Sequence, residues 1–289
     1  MRRFRASKVG SQTKLTNLVA GAPFPVEAVR ANHFALVARN TDNLRFGYDV
    51  EASVRFVQEQ ALPLRGRVLD IGTGKGRFVV ALARHLSKVT TVDISAGEQR
   101  MARLEATYAG LAQRIDFLLA DAGALPWSAG SFGAVVSMNA FHHLDDPERV
   151  FGEMLRVLKP GGKLVLADFS PDGFRIMDLI HAAEGRRHAH PPSKFSHWLA
   201  RLRQRGFAVN RFLGCHQEIL VARRPLRRTP ERGEPCPRQG AHNNSRRISS
   251  APLFRPIHER GCAVAARSNR SVSLGSATFF PRASVSNIN

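Results

Sequence analysis

The chain has 289 residues, of which 43% are hydrophobic, so it can form one substantial core within one or two domains. Its formal net charge is +20 at pH 7, and no apolar run approaches the roughly 20 residues that cross a bilayer, so no membrane span is expected. Cys215, Cys236 and Cys262 lie far apart without a C-x-x-C pair, which argues against a disulfide framework and favours a reducing, cytoplasmic location.

Much of the positive charge lies at the two ends of the chain. We therefore predict a basic, partly flexible segment over residues 1–40, a folded domain over 41–224 and a disordered arginine-rich tail over 225–289. The tail could bind RNA or another anionic surface, or it could be a solvated extension. Without aromatic residues interleaved among the arginines, stacking on bases has little support, so a nucleic-acid partner is not favoured.

Between these ends, strand-like and helix-like segments alternate along the chain. Apolar runs predict strands at 67–71, 89–94, 115–120, 134–138 and 163–168, and helical spacing predicts helices from 78, around 101–111 and over 147–158. The residues KPGG at 159–162 are a stop signal between the last helix and the last of these strands. Such alternation predicts a mostly parallel sheet with helices on both faces and a ligand beyond the carboxyl ends of its strands.

The first predicted strand leads into a glycine-rich loop, VLDIGTGKG at residues 68–76. A P-loop is excluded because Lys75 is followed by Gly76 and not by Ser or Thr. A dinucleotide fingerprint is weakened because Arg77 replaces its third glycine. Asp70 would repel a pyrophosphate but would suit an ammonium or a sulfonium, which indicates a ligand of that charge.

Two further acids follow the next two predicted strands. Asp93 lies 21 residues after Gly72, where a carboxylate can accept both hydroxyls of a ribose. Asp121 is placed to accept a hydrogen bond from an exocyclic amine such as adenine N6. Each acid alone could be a helix cap or a turn residue. Their joint placement at successive strand ends favours an adenosine-containing ligand.

The sequence resembles the class I S-adenosylmethionine-dependent methyltransferases over residues 48–224. The resemblance rests on VLDIGTGKG, VDIS, DAGALPW and FHHLDDPERVFGEMLRVLKPGGKLVLADF, and it is strongest to the ubiquinone and menaquinone biosynthesis branch. It implies a Rossmann-like three-layer α/β/α sandwich whose seven-stranded, mostly parallel sheet ends in an antiparallel strand. Residues 207–224 are expected to form the terminal hairpin.

The resemblance also implies S-adenosylmethionine as the cofactor and assigns residues to its parts. Asp70, Gly72 and Gly74 would contact the methionine end, and Asn139 would face the transferable methyl group. The remaining assignments are Asp93 and Ile94 to the ribose and adenine, and Asp121 and Ala122 to the adenine.

His142 and His143 follow Asn139 and are the candidate catalytic residues, because one of them could accept a proton from the methyl acceptor. The same FHH stretch is also a family motif in which the histidines shape the pocket. Both interpretations stay open.

A second cluster lies in FRIMDLIHAAEGRRHAH, where His181, Glu184 and His188 are candidate substrate residues. Imidazoles with a carboxylate also suit zinc or iron, but the spacing matches no established ligand motif, and no metal is predicted. Residues that could line an apolar acceptor pocket, or could equally pack in the core, are Phe141, Phe174, Met177, Phe195 and Trp198.

The function predicted from the sequence is methyl transfer from S-adenosylmethionine to a small-molecule acceptor by in-line attack. One alternative is an RNA-modifying methyltransferase or RNA-binding protein that uses the basic ends. Another is a NAD-dependent oxidoreductase, which the absent third glycine weakens.

Overall fold

The computed structural model describes residues 23–185 and 195–226. These residues belong to one of the two units into which the chain divides, and this unit is described by itself. The predicted tail from residue 227, the basic residues 1–22, and His188 lie outside the described residues. None of the described helices is both long and apolar enough to cross a membrane.

Helices and strands alternate through most of the described chain. The helices are α1 (Val26–Arg45), α2 (Val50–Ala61), α3 (Arg77–Ala83), α4 (Ala96–Tyr108), α5 (Pro147–Val157), α6 (Pro171–Ala183) and α7 (Phe195–Gln204). The strands are β1 (Val68–Ile71), β2 (Val89–Asp93), β3 (Ile115–Leu119), β4 (Phe132–Met138), β5 (Leu158–Phe169), β6 (Ala208–Gly214) and β7 (Gln217–Arg223). Short 3₁₀ helices cover Ala112–Arg114 and Phe141–His143.

Capping residues explain where the helices around the sheet begin. Asp49, Ser95, Asp146 and Ser170 each accept a hydrogen bond from a backbone N–H in the first turn of α2, α4, α5 and α6. Such a cap satisfies one of the donors that a helix start otherwise leaves unpaired. These caps define the starts of α2, α4, α5 and α6.

The seven strands form one sheet in the order β3-β2-β1-β4-β5-β7-β6. The pairs from β3 through β5 are parallel, whereas β7 runs antiparallel to both β5 and β6. This confirms the predicted seven-stranded, mostly parallel sheet with an antiparallel last strand. The hairpin expected over residues 207–224 is β6 and β7.

Alternate residues of the central strands pack into separate hydrophobic clusters. In β5, Leu164 and Leu166 belong to a cluster that includes α5 and α7, while Val165 and Ala167 belong to another that includes α2, α3 and α4. Because successive strand residues point to opposite faces, the two clusters lie on opposite sides of the sheet. The result is the expected three-layer α/β/α sandwich.

The start of β5 differs from the sequence prediction. Residues 159–162 were expected to separate helix from strand, but they lie within β5 as a bulge. Leu158 pairs with Phe132, and the next paired residue is Lys163, which pairs with Ala134. Gly161 adopts φ +73° in this segment, a conformation that glycine adopts without steric cost.

The expected start of the domain at residue 41 falls inside a helix. α1 begins at Val26, continues through that position and packs mainly against α4. Asn32 Nδ2 donates to the backbone carbonyl of Met101 at 3.3 Å, and the His33 ring stacks on Tyr108 with centroids 3.6 Å apart. The sequence gives little sign of this helix because several of its apolar side chains, such as Phe34, are exposed.

Candidate functional site

A cavity of about 710 Å³ opens at the carboxyl ends of the parallel strands. It is lined by the loops that follow β1, β2, β3 and β4, and by parts of α1 and α6. A parallel sheet brings these loops together because its strands all end at the same edge. Most of the predicted site residues lie here.

The glycine loop forms one wall of the cavity. Gly72 and Gly74 adopt φ +83° and +48°, and the Gly72 and Thr73 amides donate to the Val92 carbonyl at 2.9 and 3.1 Å. A Cβ at Gly72 would lie 2.5 Å from Ala140 Cβ, so the close approach to Ala140 requires glycine there. A Cβ at Gly74 would meet nothing within 4 Å, which leaves room for a ligand against the backbone.

Asp70 does not line the cavity, although the sequence predicts contact with the methionine end. Its side chain is 1% exposed, and Oδ2 accepts a hydrogen bond from Thr91 Oγ1 at 2.7 Å. Thr91 Oγ1 in turn lies 2.7 Å from Thr73 Oγ1, and Thr73 Oγ1 accepts a hydrogen bond from Gln99 Nε2 at 3.2 Å. Burial raises the pKa of Asp70 to about 7. This chain of hydrogen bonds supports the glycine loop from beneath.

Asp93 lines the cavity at the end of β2 and braces the loop. Its Oδ2 accepts from the Gly74 amide at 2.8 Å, and its Oδ1 accepts from the Ser95 amide at 2.9 Å. These bonds fix the carboxylate plane, and each oxygen has a further lone pair for a ligand hydroxyl. Ile94 follows it and is 77% exposed at the cavity rim.

Asp121 and Ala122 line the cavity after β3. The Asp121 carboxylate accepts from the Gly123 amide at 2.7 Å and pairs with Arg149 at 3.2 Å. Both charged side chains are about half exposed, which makes this the more solvated end of the cavity.

Asn139 follows β4 with φ +52° and lines the cavity. Its backbone N–H donates to the Ala167 carbonyl at 2.9 Å. Its side-chain Oδ1 is buried without a hydrogen-bond partner among the described residues. The buried hydroxyl of Tyr48 accepts from Gln217 Nε2 at 3.3 Å and also interacts with the Asn139 side chain. Burial raises the pKa of Tyr48 to about 12, so this phenol is neutral at pH 7.

His142 lies in the 3₁₀ turn after Asn139 and is paired with Asp168 at the end of β5. His142 Nδ1 and Asp168 Oδ1 are 2.6 Å apart, and the His142 amide donates to Asp168 Oδ2 at 3.1 Å. Both side chains are buried, at 4% and 0% exposure, and His142 lines the cavity. A carboxylate at Nδ1 orients the imidazole ring.

Asp168 is not among the site residues predicted from the sequence. The signal was present, because LADF ends the fifth predicted strand just as Asp70, Asp93 and Asp121 end or follow the earlier ones. His143 also lines the cavity, with its ring centroid 3.9 Å from that of His142.

The structure separates the three candidate substrate residues. His181 lines the cavity from α6, whereas Glu184 does not line it and instead pairs with Arg39 of α1 at 3.3 Å. His188 lies outside the described residues. Among residues 23–185 and 195–226, no group of three or more His, Cys, Asp or Glu side chains could hold a metal ion.

Of the five residues considered for an apolar acceptor pocket, Met177 alone lines the cavity. Phe141, Phe195 and Trp198 pack in the cluster under α5 and α7, and Phe174 packs beside Tyr48 and Phe169. Burial in the core decides their role, because a large aromatic side chain gains more by packing than by facing an open cavity.

The cavity residues fit S-adenosylmethionine. Gly74 leaves open space for close approach, Asp93 presents fixed carboxylate oxygens, and Asn139 Oδ1 is a buried acceptor with no hydrogen-bond partner in the part of the chain that the structure describes. Gly74 would allow the cofactor to lie against the backbone, Asp93 would accept hydrogen bonds from its ribose hydroxyls, and Asn139 would contact it near the transferable methyl group.

Sequence and structure comparisons agree with this geometry. Residues 69–166 match a family profile described as a methyltransferase domain. The chain is 37% identical over 140 residues to a demethylmenaquinone methyltransferase of Thermus thermophilus, covering 48% of this chain and 63% of the relative. It is 34% identical over 147 residues to methyltransferase GfsG of Streptomyces halstedii, covering 46% and 53%. The chain thus spans about half to two thirds of the length of these relatives.

A solved structure shows the same fold. A protein of Pyrococcus horikoshii OT3 superposes with a TM-score of 0.51 at 19% identity, covering 61% of this chain and 92% of that one. Taken with the strand order, the sequence matches show that residues 69–166 belong to a methyltransferase domain, and they make the chain similar to the demethylmenaquinone methyltransferases.

Proposed function

We propose that the protein transfers a methyl group from S-adenosylmethionine to a small-molecule acceptor by in-line attack. The observation that carries the proposal is the buried His142–Asp168 pair, which lines the same cavity as the glycine loop and Asp93. His142, the glycine loop and Asp93 therefore line the same open cavity of about 710 Å³. That volume suits a small molecule better than a polymer.

Each cavity residue has a distinct task in the proposed reaction. When bound, the cofactor supplies an electrophilic methyl group on a sulfonium. Gly74 and Asp93 hold the cofactor, and Asn139 Oδ1 orients a donor group near the reacting centre. His142 accepts the proton of the acceptor, and Asp168 stabilises the resulting imidazolium through Nδ1.

Part of the cavity lining is apolar. It includes Val50 and Val54 of α2, Leu144, Phe169 and Met177. With His142 as base, this lining favours a ring-bearing acceptor with an ionisable hydroxyl or acidic carbon. The relative named for demethylmenaquinone supports such an acceptor class. The cysteine pattern supports a cytoplasmic site of action.

Calorimetry followed by labelled methyl transfer tests the proposal. S-adenosylhomocysteine should bind more tightly than NAD or ATP, and labelled S-adenosylmethionine incubated with metabolite extract should label a small molecule. The His142→Gln protein is the control, because it should bind the cofactor but transfer the methyl group more slowly. Tighter binding of NAD would refute the cofactor, and label found only in an RNase-sensitive fraction would support the RNA-modifying alternative instead.

A further inference from the structure

Helix α1 turns polar side chains inward and apolar side chains outward. Asn32 and His33 bond to residues of α4 at 3.3 and 3.1 Å, and Asn43 is buried and lines the cavity. The exposed side chains of the two middle turns are all apolar, namely Ala31, Phe34, Ala35, Val37 and Ala38. A helix that borders on water normally has the opposite pattern, with its apolar stripe toward the core.

The exposed apolar surface of α1 runs along one side of the helix. Phe34 is 61% exposed, Val37 43% and Leu44 57%, and their spacing places them one or two turns apart on the same side. Among the apolar side chains of the helix, those of Val29 and Leu36 are buried. Single exposed apolar residues are common, but a contiguous patch marks an interaction surface. We call this patch the outer face of α1, and its residues are Ala31, Phe34, Ala35, Val37, Ala38 and Leu44.

Charge favours an anionic partner at the outer face. Arg30 is exposed one turn before Phe34, and the exposed Arg100 of α4 lies 5.7 Å from the ring of Phe24, just before α1. Cations therefore border the start of the outer face and would attract anionic groups. The sequence up to position 41 has the same sign, because Glu27 is its single acid against Arg2, Arg3, Arg5, Lys8, Lys14, Arg30 and Arg39.

A second copy of this chain fits the outer face poorly. In a twofold contact each copy presents the same surface, so two acid-poor stretches would lie at one interface and repel each other. A nucleic acid offers phosphates to the cations but little surface that would take Phe34 and Val37 out of water. An anionic lipid surface meets both needs, because its headgroups attract cations and its acyl layer takes up apolar side chains.

We propose that the outer face of α1 docks on the surface of a bilayer that contains anionic lipids. Phe34 and Val37 enter the boundary of the acyl layer, and Arg30 meets the headgroups. The inward side of the same helix lines the cavity through Arg39 and Asn43. Docking therefore brings one wall of the cavity within about one helix diameter, roughly 10–12 Å, of the lipid. The proposal is independent of the reaction that the cavity carries out.

Sedimentation of the full chain with lipid vesicles tests the proposal. The protein should bind vesicles made of equal parts of phosphatidylglycerol and phosphatidylcholine, and should bind pure phosphatidylcholine vesicles much less. Phe34→Ser should weaken binding to the anionic vesicles by about tenfold, because one large apolar side chain no longer enters the lipid. Val37→Ser should act in the same direction by a smaller factor. Leu213→Ser is the matched control, since Leu213 is 57% exposed on β6, and it should leave binding unchanged.

Three results would overturn the proposal. The first is unmutated protein that stays in the supernatant with anionic vesicles. The second is equal vesicle binding by wild type, Phe34→Ser and Val37→Ser, which would assign the attraction to basic residues outside α1. The third is a dimer that dissociates in Phe34→Ser and does not bind vesicles, which would make the outer face a contact between two copies. Calorimetry with S-adenosylhomocysteine tests the proposed function separately from all three.

Discussion

His142 Nδ1 lies 2.6 Å from Asp168 Oδ1, and the same carboxylate accepts the His142 amide through its other oxygen at 3.1 Å. One acid at the end of β5 thus fixes both the ring and the backbone of the residue that follows β4. The Phe169 amide also donates to Asp168 Oδ1, at 2.9 Å, so the carboxylate is itself held in place. This is the geometry of an oriented base.

Replacing His142 by Gln should lower the methyl-transfer rate constant by about 10²- to 10⁴-fold, because the acceptor proton loses its base. Affinity for S-adenosylhomocysteine should change little. Steady-state transfer assays and calorimetry measure the two effects. His143→Gln is the comparison and should cost less, because the carboxylate of Asp168 orients His142. A larger loss in His143→Gln would assign the base to His143.

Gly74→Ala should reduce S-adenosylhomocysteine affinity by about tenfold or more, because its Cβ would occupy the space left for the ligand. Gly47→Ala is a matched control, with φ +86°, open space around the added Cβ and a position outside the cavity. Both should lose roughly 1–2 kcal/mol of stability from the left-handed backbone. Equal affinity in the two variants would refute close approach at Gly74.

Asp93→Ala should weaken S-adenosylhomocysteine binding by roughly 1–3 kcal/mol, because a charged acceptor of ligand hydroxyls is lost. Asp121→Ala should cost under about 1 kcal/mol, since this carboxylate is half exposed and paired with Arg149. Calorimetry on both variants measures which substitution weakens S-adenosylhomocysteine binding more. A greater loss at Asp121 would place the main polar contact at the adenine end.

His181→Ala should reduce methyl transfer while leaving S-adenosylhomocysteine affinity intact, because His181 lines the cavity from α6, away from the strand-end loops. Glu184→Ala should have a smaller effect on transfer, since this carboxylate does not line the cavity and pairs with Arg39. Transfer assays and calorimetry distinguish the cases. Unchanged transfer in His181→Ala would move acceptor recognition to the segment around Phe46 and Tyr48.

Asp70 should make the protein less stable as the pH rises from about 4 to about 7. Its pKa is raised by burial from 3.8 to about 7, so in this window the folded protein keeps a proton that the unfolded chain has lost. Asp70 alone lowers the free energy of unfolding by at most about 1.4 kcal/mol per pH unit in this window. Urea unfolding of wild type and Asp70→Asn at pH 5, 6 and 8 measures it. A stability difference between the two proteins that is independent of pH would contradict the prediction.

From β1 to β5 the order of strands and helices was readable from the sequence, because local periodicity and capping decide it. Val68, Leu69 and Ile71 run apolar into glycines, and Ser95 and Asp146 start helices through contacts three residues away. The family resemblance predicts cofactor contacts for Gly72, Gly74 and Asp93, and all three line the cavity. The bulge within β5 escaped these rules because it depends on pairing with β4.

The tertiary structure alone decided which polar groups meet. Asp70 and Asp93 both lie at strand ends and look equivalent in the sequence. In the structure, the Asp70 carboxylate is buried against Thr91, whereas the Asp93 carboxylate bonds the Gly74 amide and lines the cavity. His142 is paired with Asp168 across 26 residues, and Arg77 is held by Asn40 across 37. No local pattern encodes such distances, since they arise only when neighbouring strands and α1 pack around one sheet edge.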